Sequence, residues 1–203
     1  MDSTIPAVIL AGGRATRMGG GDKALLRIGD ETLLDRVLDR LRPQCGKVAL
    51  NANGDPARFA GYGLPILADS VPNRPGPLAG ILAGMDWAAG QGASAVISVA
   101  ADTPFFPADL VARLAAQAGR SGLALAASRD AQGRVSDHPT FGLWPTALRQ
   151  GLRAALRAGQ RRVGGFAQAH DPGRAIWSGD PFDPFFNINT PDDLERARAI
   201  AAG

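Results

Sequence analysis

The chain has 203 residues, of which 45% are apolar and 20% charged, a balance that supplies a substantial core and excludes a disordered chain. Its 26 glycines and 15 prolines follow no fixed period, which excludes collagen-like and repeat architectures. Lysine and arginine number 22 against 19 acidic residues, a net charge of +3; this permits an anionic ligand but, without a clustered basic stripe, does not predict nucleic-acid binding.

In chain order, the apolar run 5–10 is short, branched and bounded by glycine, and predicts a buried strand. A glycine-rich loop follows over 11–22. Leu33, Leu34, Val37, Leu38 and Leu41 recur at helical spacing, and Pro43 ends that helix. Strands are predicted over 47–50 and 64–67, then a helix over 78–89 with Pro77 in its first turn. A further apolar strand spans 95–100, followed by a helix near 108–118, strands over 123–127 and 140–144, and helices near 146–158 and 191–201. Strands that are apolar throughout and alternate with helices predict an α/β fold, with a mostly parallel sheet covered on both faces. No Pro/Ser-rich linker divides the chain, so one domain is expected over 1–203. The departure from alternation after Gly122 marks a substrate-binding lobe.

In an open parallel sheet, ligands bind beyond the carboxyl ends of the strands. Five strand ends are expected to carry suitable groups. These are the glycine loop after Leu10, Asn51-Ala52-Asn53 after Leu50, Asp69 after Leu67, Asp102-Thr103-Pro104 after Ala100, and Asn187-Ile188-Asn189 after Phe185-Phe186. The glycine loop holds five glycines within ten positions, with Arg14, Arg17 and Lys23 beside them. Its backbone N–H groups and cations suit a polyphosphate, though a plain surface loop is the structural alternative. It is neither a Walker A loop, since Ala24 follows Lys23, nor a dinucleotide fingerprint. Lys23 carries weight because the chain has only one other lysine, Lys47.

Asp102 at a strand end suits magnesium, which takes one or two protein oxygens and the phosphates of its substrate; Asn187 or Asn189 is the candidate second ligand. The competing role for Asp102 is a helix N-cap. Thr190-Pro191-Asp192-Asp193 has capping-box spacing and is expected to be structural. Gly76 to Gly80 opens a helix with little bulk, either as turn chemistry or as a wall beside a flat base. His138 is read equally as a buried histidine or a substrate contact, and the arginines at 149, 153 and 157 as a solvated face. The lone Cys45 excludes a disulfide framework and a thiolate metal cluster, and favours a reducing compartment; no apolar run is long enough to span a membrane. A cytoplasmic protein is expected.

Leu10-Ala11-Gly12-Gly13, Arg17-Met18-Gly19-Gly20, Asp22-Lys23 and Leu25 resemble the signature loop of the nucleotidyltransferases. Asn51-Ala52-Asn53, Gly76-Pro77-Leu78-Ala79-Gly80, Asp102-Thr103-Pro104, Asp137-His138-Pro139, Gly159 with Arg161-Arg162-Val163, and Asn187-Ile188-Asn189-Thr190-Pro191 narrow the resemblance to the molybdenum cofactor guanylyltransferases. The resemblance implies a Rossmann-like three-layer α/β/α nucleotidyltransferase fold, with a nucleotide-binding half over about 1–120 and a pterin-binding half over about 121–203. It implies transfer of GMP from GTP to the terminal phosphate of Mo-molybdopterin. By the same resemblance, Leu10, Ala11, Gly12, Gly13, Lys23, Asn51, Asp69 and Asp102 bind GTP, and Asp102 with Asn187 or Asn189 binds Mg2+. Lys23, Asp102 and Arg17 serve catalysis, and His138 and Arg161 the acceptor. Molybdenum cofactor biosynthesis proteins and acceptor molybdoenzymes are the implied partners, with neither nucleic acid nor membrane. A cytidylyltransferase, a sugar-phosphate nucleotidyltransferase and a non-catalytic pterin carrier are the competing readings.

Overall fold

In a computed structural model that describes residues 5–12, 21–71 and 76–202, a seven-stranded sheet is sandwiched between helices. The strands are β1 (Ala7–Leu10), β4 (Val48–Asn51), β5 (Ile66–Leu67), β6 (Ala95–Ala100), β7 (Ala124–Arg129), β8 (Val135–Pro145) and β9 (Gly173–Ser178), in the order β5-β4-β1-β6-β8-β7-β9. A short antiparallel hairpin, β2 (Arg27–Ile28) and β3 (Glu31–Thr32), stands apart from it. Only β8 runs against its neighbours β6 and β7. The sheet is thus mostly parallel, as expected.

Alternation along the strands fills two cores. Ala7, Ile9, Ile97 and Val99 face α1 (Leu33–Leu41) and α3 (Leu110–Ala116), while Val8 and Val96 face α2 (Pro77–Gly90), α4 (Arg149–Arg157) and α5 (Val163–Gln168). Each fully buried leucine of α1 contributes roughly 1.5–3 kcal/mol through removal of its side chain from water. Helix α1 starts at a capping box in which Thr32 Oγ1 accepts from the Asp35 N–H and the Asp35 carboxylate accepts from the Thr32 N–H.

Helix α2 packs unusually close to the sheet because Gly80 and Gly84 face it. A Cβ at Gly80 would lie 2.2 Å from Asn51 Oδ1, and one at Gly84 would lie 2.4 Å from the Val8 side chain. A smaller cluster of Ile28, Leu33, Phe105, Ile188 and Ala197 seats α6 (Pro191–Ala202) against the hairpin.

Several elements differ from the sequence expectation. Phe185-Phe186 is a turn rather than a strand, with Phe185 buried against Phe141 and Trp177. Hence four strand ends and one loop, instead of five strand ends, carry the candidate residues. The strand expected over 140–144 extends back to Val135. β9, α5 and the hairpin had no counterpart in the sequence reading. No helix among the described residues is long and apolar enough to cross a membrane.

Candidate functional site

The sheet register sets the site. Leu10 is level with Asn51 on one side and with Ala100 on the other, and Asn51 is level with Leu67, so four strand ends finish along one line. The ladder continues one residue further: Ala11 N–H donates to Asn51 O, Ala101 N–H to Leu10 O, and Ala52 N–H to Leu67 O. Because β4 and β6 lie on opposite sides of β1, this line crosses the topological switch point of the sheet, where α/β folds open a crevice. The crevice measures about 480 Å³, within the range of small-ligand sites. Leu10, Ala11, Gly12, Asn51, Asp69, Asp102 and Asn187 line it, all of them in the sequence-derived set. Gly13 and Arg17 lie outside the described residues.

At one end, Asp69 is held by two asparagines. Asn51 Nδ2 donates to Asp69 Oδ1 at 3.0 Å and Asn53 Nδ2 donates to Oδ2 at 2.9 Å, while the Asp69 N–H donates to Asn53 Oδ1 at 3.0 Å. Asn51, only 4% exposed, also donates to Leu67 O. Its side chain fits under α2 because Gly80 carries no Cβ. The small residues at the start of α2 therefore admit Asn51, and Gly76 and Pro77 form part of the wall.

Lys23 and Asn189 do not themselves line the crevice but meet beside its Asp102: Lys23 Nζ donates to Asp102 Oδ2 at 2.7 Å and to Asn189 Oδ1 at 2.5 Å. The Lys23 side chain is 12% exposed and that of Asp102 23%. Asp102 caps no helix, since α3 begins only at Leu110. The fully buried Thr103 hydroxyl lies 2.7 Å from Asn187 Oδ1 and 3.2 Å from Asp102 Oδ1. Ile188, buried in the small cluster, donates its N–H to Asp102 O at 3.0 Å, which displays Asn187 and Asn189 on either side of the carboxylate. The expected capping box follows: Asp193 Oδ2 accepts from the Asn189 and Thr190 N–H groups, and the Asp193 N–H donates to Thr190 Oγ1.

His138 and Arg161 are not brought to this crevice. His138 stacks on Phe185 with ring centroids 4.6 Å apart. Its Nε2 lies 2.7 Å from Ser128 Oγ and 3.5 Å from Asp183 Oδ2. Serine and aspartate meet the same ring nitrogen, so no Ser-His-Asp relay exists here. Burial lowers the His138 pKa, outweighing the raising influence of Asp183 and Asp137. Arg161 is exposed just before α5. Cys45 is buried and donates its thiol to Leu41 O; burial pushes its pKa up to about 11, which leaves it a poor nucleophile near neutral pH.

The sequence reading gave no site role to Asp22, Arg58 or Thr140, which also line the crevice. Arg58 Nε meets Asp22 Oδ2 at 2.9 Å and Arg58 Nη2 donates to Asn53 O at 2.6 Å. The turn Asn53-Gly54-Asp55-Pro56, directly after a strand end, was the available signal that the next residues stand at the rim.

A profile of the MobA-like NTP transferase domain matches residues 7–172. A molybdenum cofactor guanylyltransferase of Rhodopseudomonas palustris (strain BisB5) is 53% identical, over 97% of this chain and 93% of its own length. One from Bradyrhizobium sp. (strain ORS 278) is 51% identical, over 98% and 94%. Among solved structures, the molybdopterin-guanine dinucleotide biosynthesis protein A of Archaeoglobus fulgidus superposes with a TM-score of 0.72 at 21% identity, covering 98% of this chain and 99% of its own, and shows the shared fold. The 2-C-methyl-D-erythritol 4-phosphate cytidylyltransferase of Thermus thermophilus superposes with a TM-score of 0.69 at 25% identity, covering 98% and 100%. A sheet whose strand ends gather Asp102, to which Lys23 is bonded, and an asparagine-held carboxylate in a single crevice thus sits on a shared architecture, and the near-full-length identity places this chain in the MobA-like NTP transferase family, among the molybdenum cofactor guanylyltransferases.

Proposed function

We propose that the chain transfers GMP from GTP to the terminal phosphate of Mo-molybdopterin in this crevice, releasing pyrophosphate. The observation that carries the reading is the meeting of Lys23 with Asp102 and Asn189 at the end of the crevice opposite the Asn51–Asp69 pair. An acceptor phosphate oxygen attacks the α-phosphorus, and the bond from that phosphorus to the bridging oxygen breaks. The electron pair and charge leave with the pyrophosphate. A phosphate monoester has a second pKa of about 6, so the nucleophile is already ionised and requires no general base. The demand is for positioning and charge neutralisation.

The donor set fits a magnesium ion. Asp102 Oδ2 and Asn189 Oδ1 converge on one point, which the Lys23 ammonium marks as a place for positive charge. Two hard oxygens at that point, with the rest of the shell left to water and phosphate, are what Mg2+ takes from a nucleotide-dependent enzyme. Asn189 is the better second ligand, since Asn187 Oδ1 is engaged by the Thr103 hydroxyl. Held by Asp102 and Asn189, such an ion would supply charge neutralisation for the phosphates. Lys23 exchanges one anion for another: released from Asp102, its ammonium meets the departing pyrophosphate. Leu10, Ala11, Gly12, Asn51 and Asp69 hold the nucleoside. His138, stacked on Phe185, supports the segment that carries Asn187 and Asn189. Pyrophosphate release with Mo-molybdopterin as acceptor tests the reading: GTP supports turnover and CTP does not. Equal turnover with CTP, or GTP binding without pyrophosphate release, contradicts it.

A further inference from the structure

Asp22 occupies the N-cap position of the 3-10 turn Lys23–Leu25, where an aspartate ordinarily accepts from the backbone N–H groups ahead of it. It makes no such bond. Its carboxylate is turned to Arg58, with Nε 2.9 Å from Asp22 Oδ2; the Asp22 side chain is 20% exposed and that of Arg58 31%. Arg58, though exposed, is anchored through its neighbours. It belongs to the 3-10 helix Pro56–Tyr62, whose start is capped by Asp55 and whose next residue, Phe59, is 1% exposed in the main core. Arg58 Nη2 donates to Asn53 O at 2.6 Å. Gly54 makes room for the guanidinium: its φ is +91°, and a Cβ there would lie 3.1 Å from Arg58 Nη1.

Asp22 and Arg58 both line the crevice, and the residue after Asp22 is Lys23. Leu25 N–H and Leu26 N–H close the turn onto Asp22 O and Lys23 O. From that start the Lys23 side chain reaches Asp102, 79 positions away in the chain. The same guanidinium grips Asn53, which holds Asp69, so one side chain ties the two ends of the crevice together. An ion pair whose arginine also donates to Asn53 O and lies over the Phe59 ring, 5.0 Å from its centroid, holds geometry better than a lone exposed pair, which is worth little.

We propose that Arg58 is a positioning residue for Lys23, acting through the Asp22 carboxylate to fix the turn from which Lys23 reaches Asp102. The proposal rests on the role given above to Lys23 in the transfer, but its test involves no turnover and fails independently of that role. Because the chain has two lysines, 13C-lysine labelling gives two ε-methylene signals, which Lys47→Arg assigns. In the unsubstituted protein the Lys23 signal is well separated from that of Lys47. Arg58→Met and Asp22→Asn each move the Lys23 signal by at least half of that separation, toward the position of a solvated lysine, and leave Lys47 in place. The double variant moves it no further. Asp22→Asn is nearly isosteric and carries the test alone if Arg58→Met does not fold. A Lys23 signal that stays in place in Asp22→Asn overturns the proposal, whether or not Arg58→Met moves it.

Discussion

Lys23 Nζ and Asp102 Oδ2 stand 2.7 Å apart, joining the exit of the glycine-rich segment to the end of β6. The ammonium holds the two oxygens assigned here to a divalent cation. Lys23→Met removes that competitor, so Mn2+ added without nucleotide binds several-fold more tightly to the variant, as read by electron paramagnetic resonance of free Mn2+. The same variant loses roughly 10²–10³ in kcat, about 3–4 kcal/mol, the usual cost of removing one donor aimed at developing charge. Weaker Mn2+ binding in Lys23→Met counts against a shared position.

Gly80 and Gly151 make opposite demands within helices. Alanine is ordinarily favoured over glycine in a helix by about 1 kcal/mol. At Gly151 of α4, with open space around its Cβ position, Gly151→Ala raises stability by about 0.5–1 kcal/mol. At Gly80 the new methyl meets Asn51 Oδ1 and the Leu10 side chain, and overpacking of about 1–3 kcal/mol outweighs the propensity gain. Urea unfolding separates the two, and only Gly80→Ala also weakens GTP binding, since Asn51 must move.

Burial disfavours the charged form of His138, with Asp183 and Asp137 opposing it less strongly. Its folded pKa lies below the unfolded value of about 6.5, so as pH falls below that point the unfolded chain takes up the proton first. The stability this histidine contributes is complete above about pH 6.5 and is lost as pH falls through the folded pKa. His138→Gln therefore flattens the decline in urea midpoint between pH 7 and pH 5. A steeper decline in the variant has the wrong sign.

Cys45 packs among Leu41, Val48 and the rest of the main core, and its thiol remains protonated well above neutral pH. Thiol reagents are expected to modify it slowly in the native protein and at once in denaturant, and Cys45→Ala keeps full turnover. Rapid native modification with loss of activity contradicts the inert role.

Strands and helices that declare themselves locally were legible. Val8 and Ile9, or Val96 and Ile97, are apolar toward both faces, and only a doubly covered strand accounts for that. The strand ends then pointed to Leu10, Asn51, Asp69 and Asp102 before their register was known. β9 escaped because Gly173 and Arg174 dilute its pattern, and α5 because Gly164 and Gly165 depress its helical propensity. The reversal of β8 had no local signal, since strand direction is decided by its partners. Phe185-Phe186 misled for the same reason: two adjacent apolar residues read as strand, while only the tertiary fold shows that Phe185 plugs the core beside His138. Arg58 and Asp22 lie 36 positions apart, and their pairing belongs to the folded chain alone.

Single-turnover transfer from GTP to Mo-molybdopterin, followed by pyrophosphate and by guanine dinucleotide together, tests the central claim most directly when the native chain is set beside Asp102→Asn. Equal amounts of both products are expected from the native chain, and a loss of at least about a hundredfold in rate when the carboxylate facing Lys23 becomes an amide. Undiminished transfer by Asp102→Asn would place the chemistry somewhere other than this crevice.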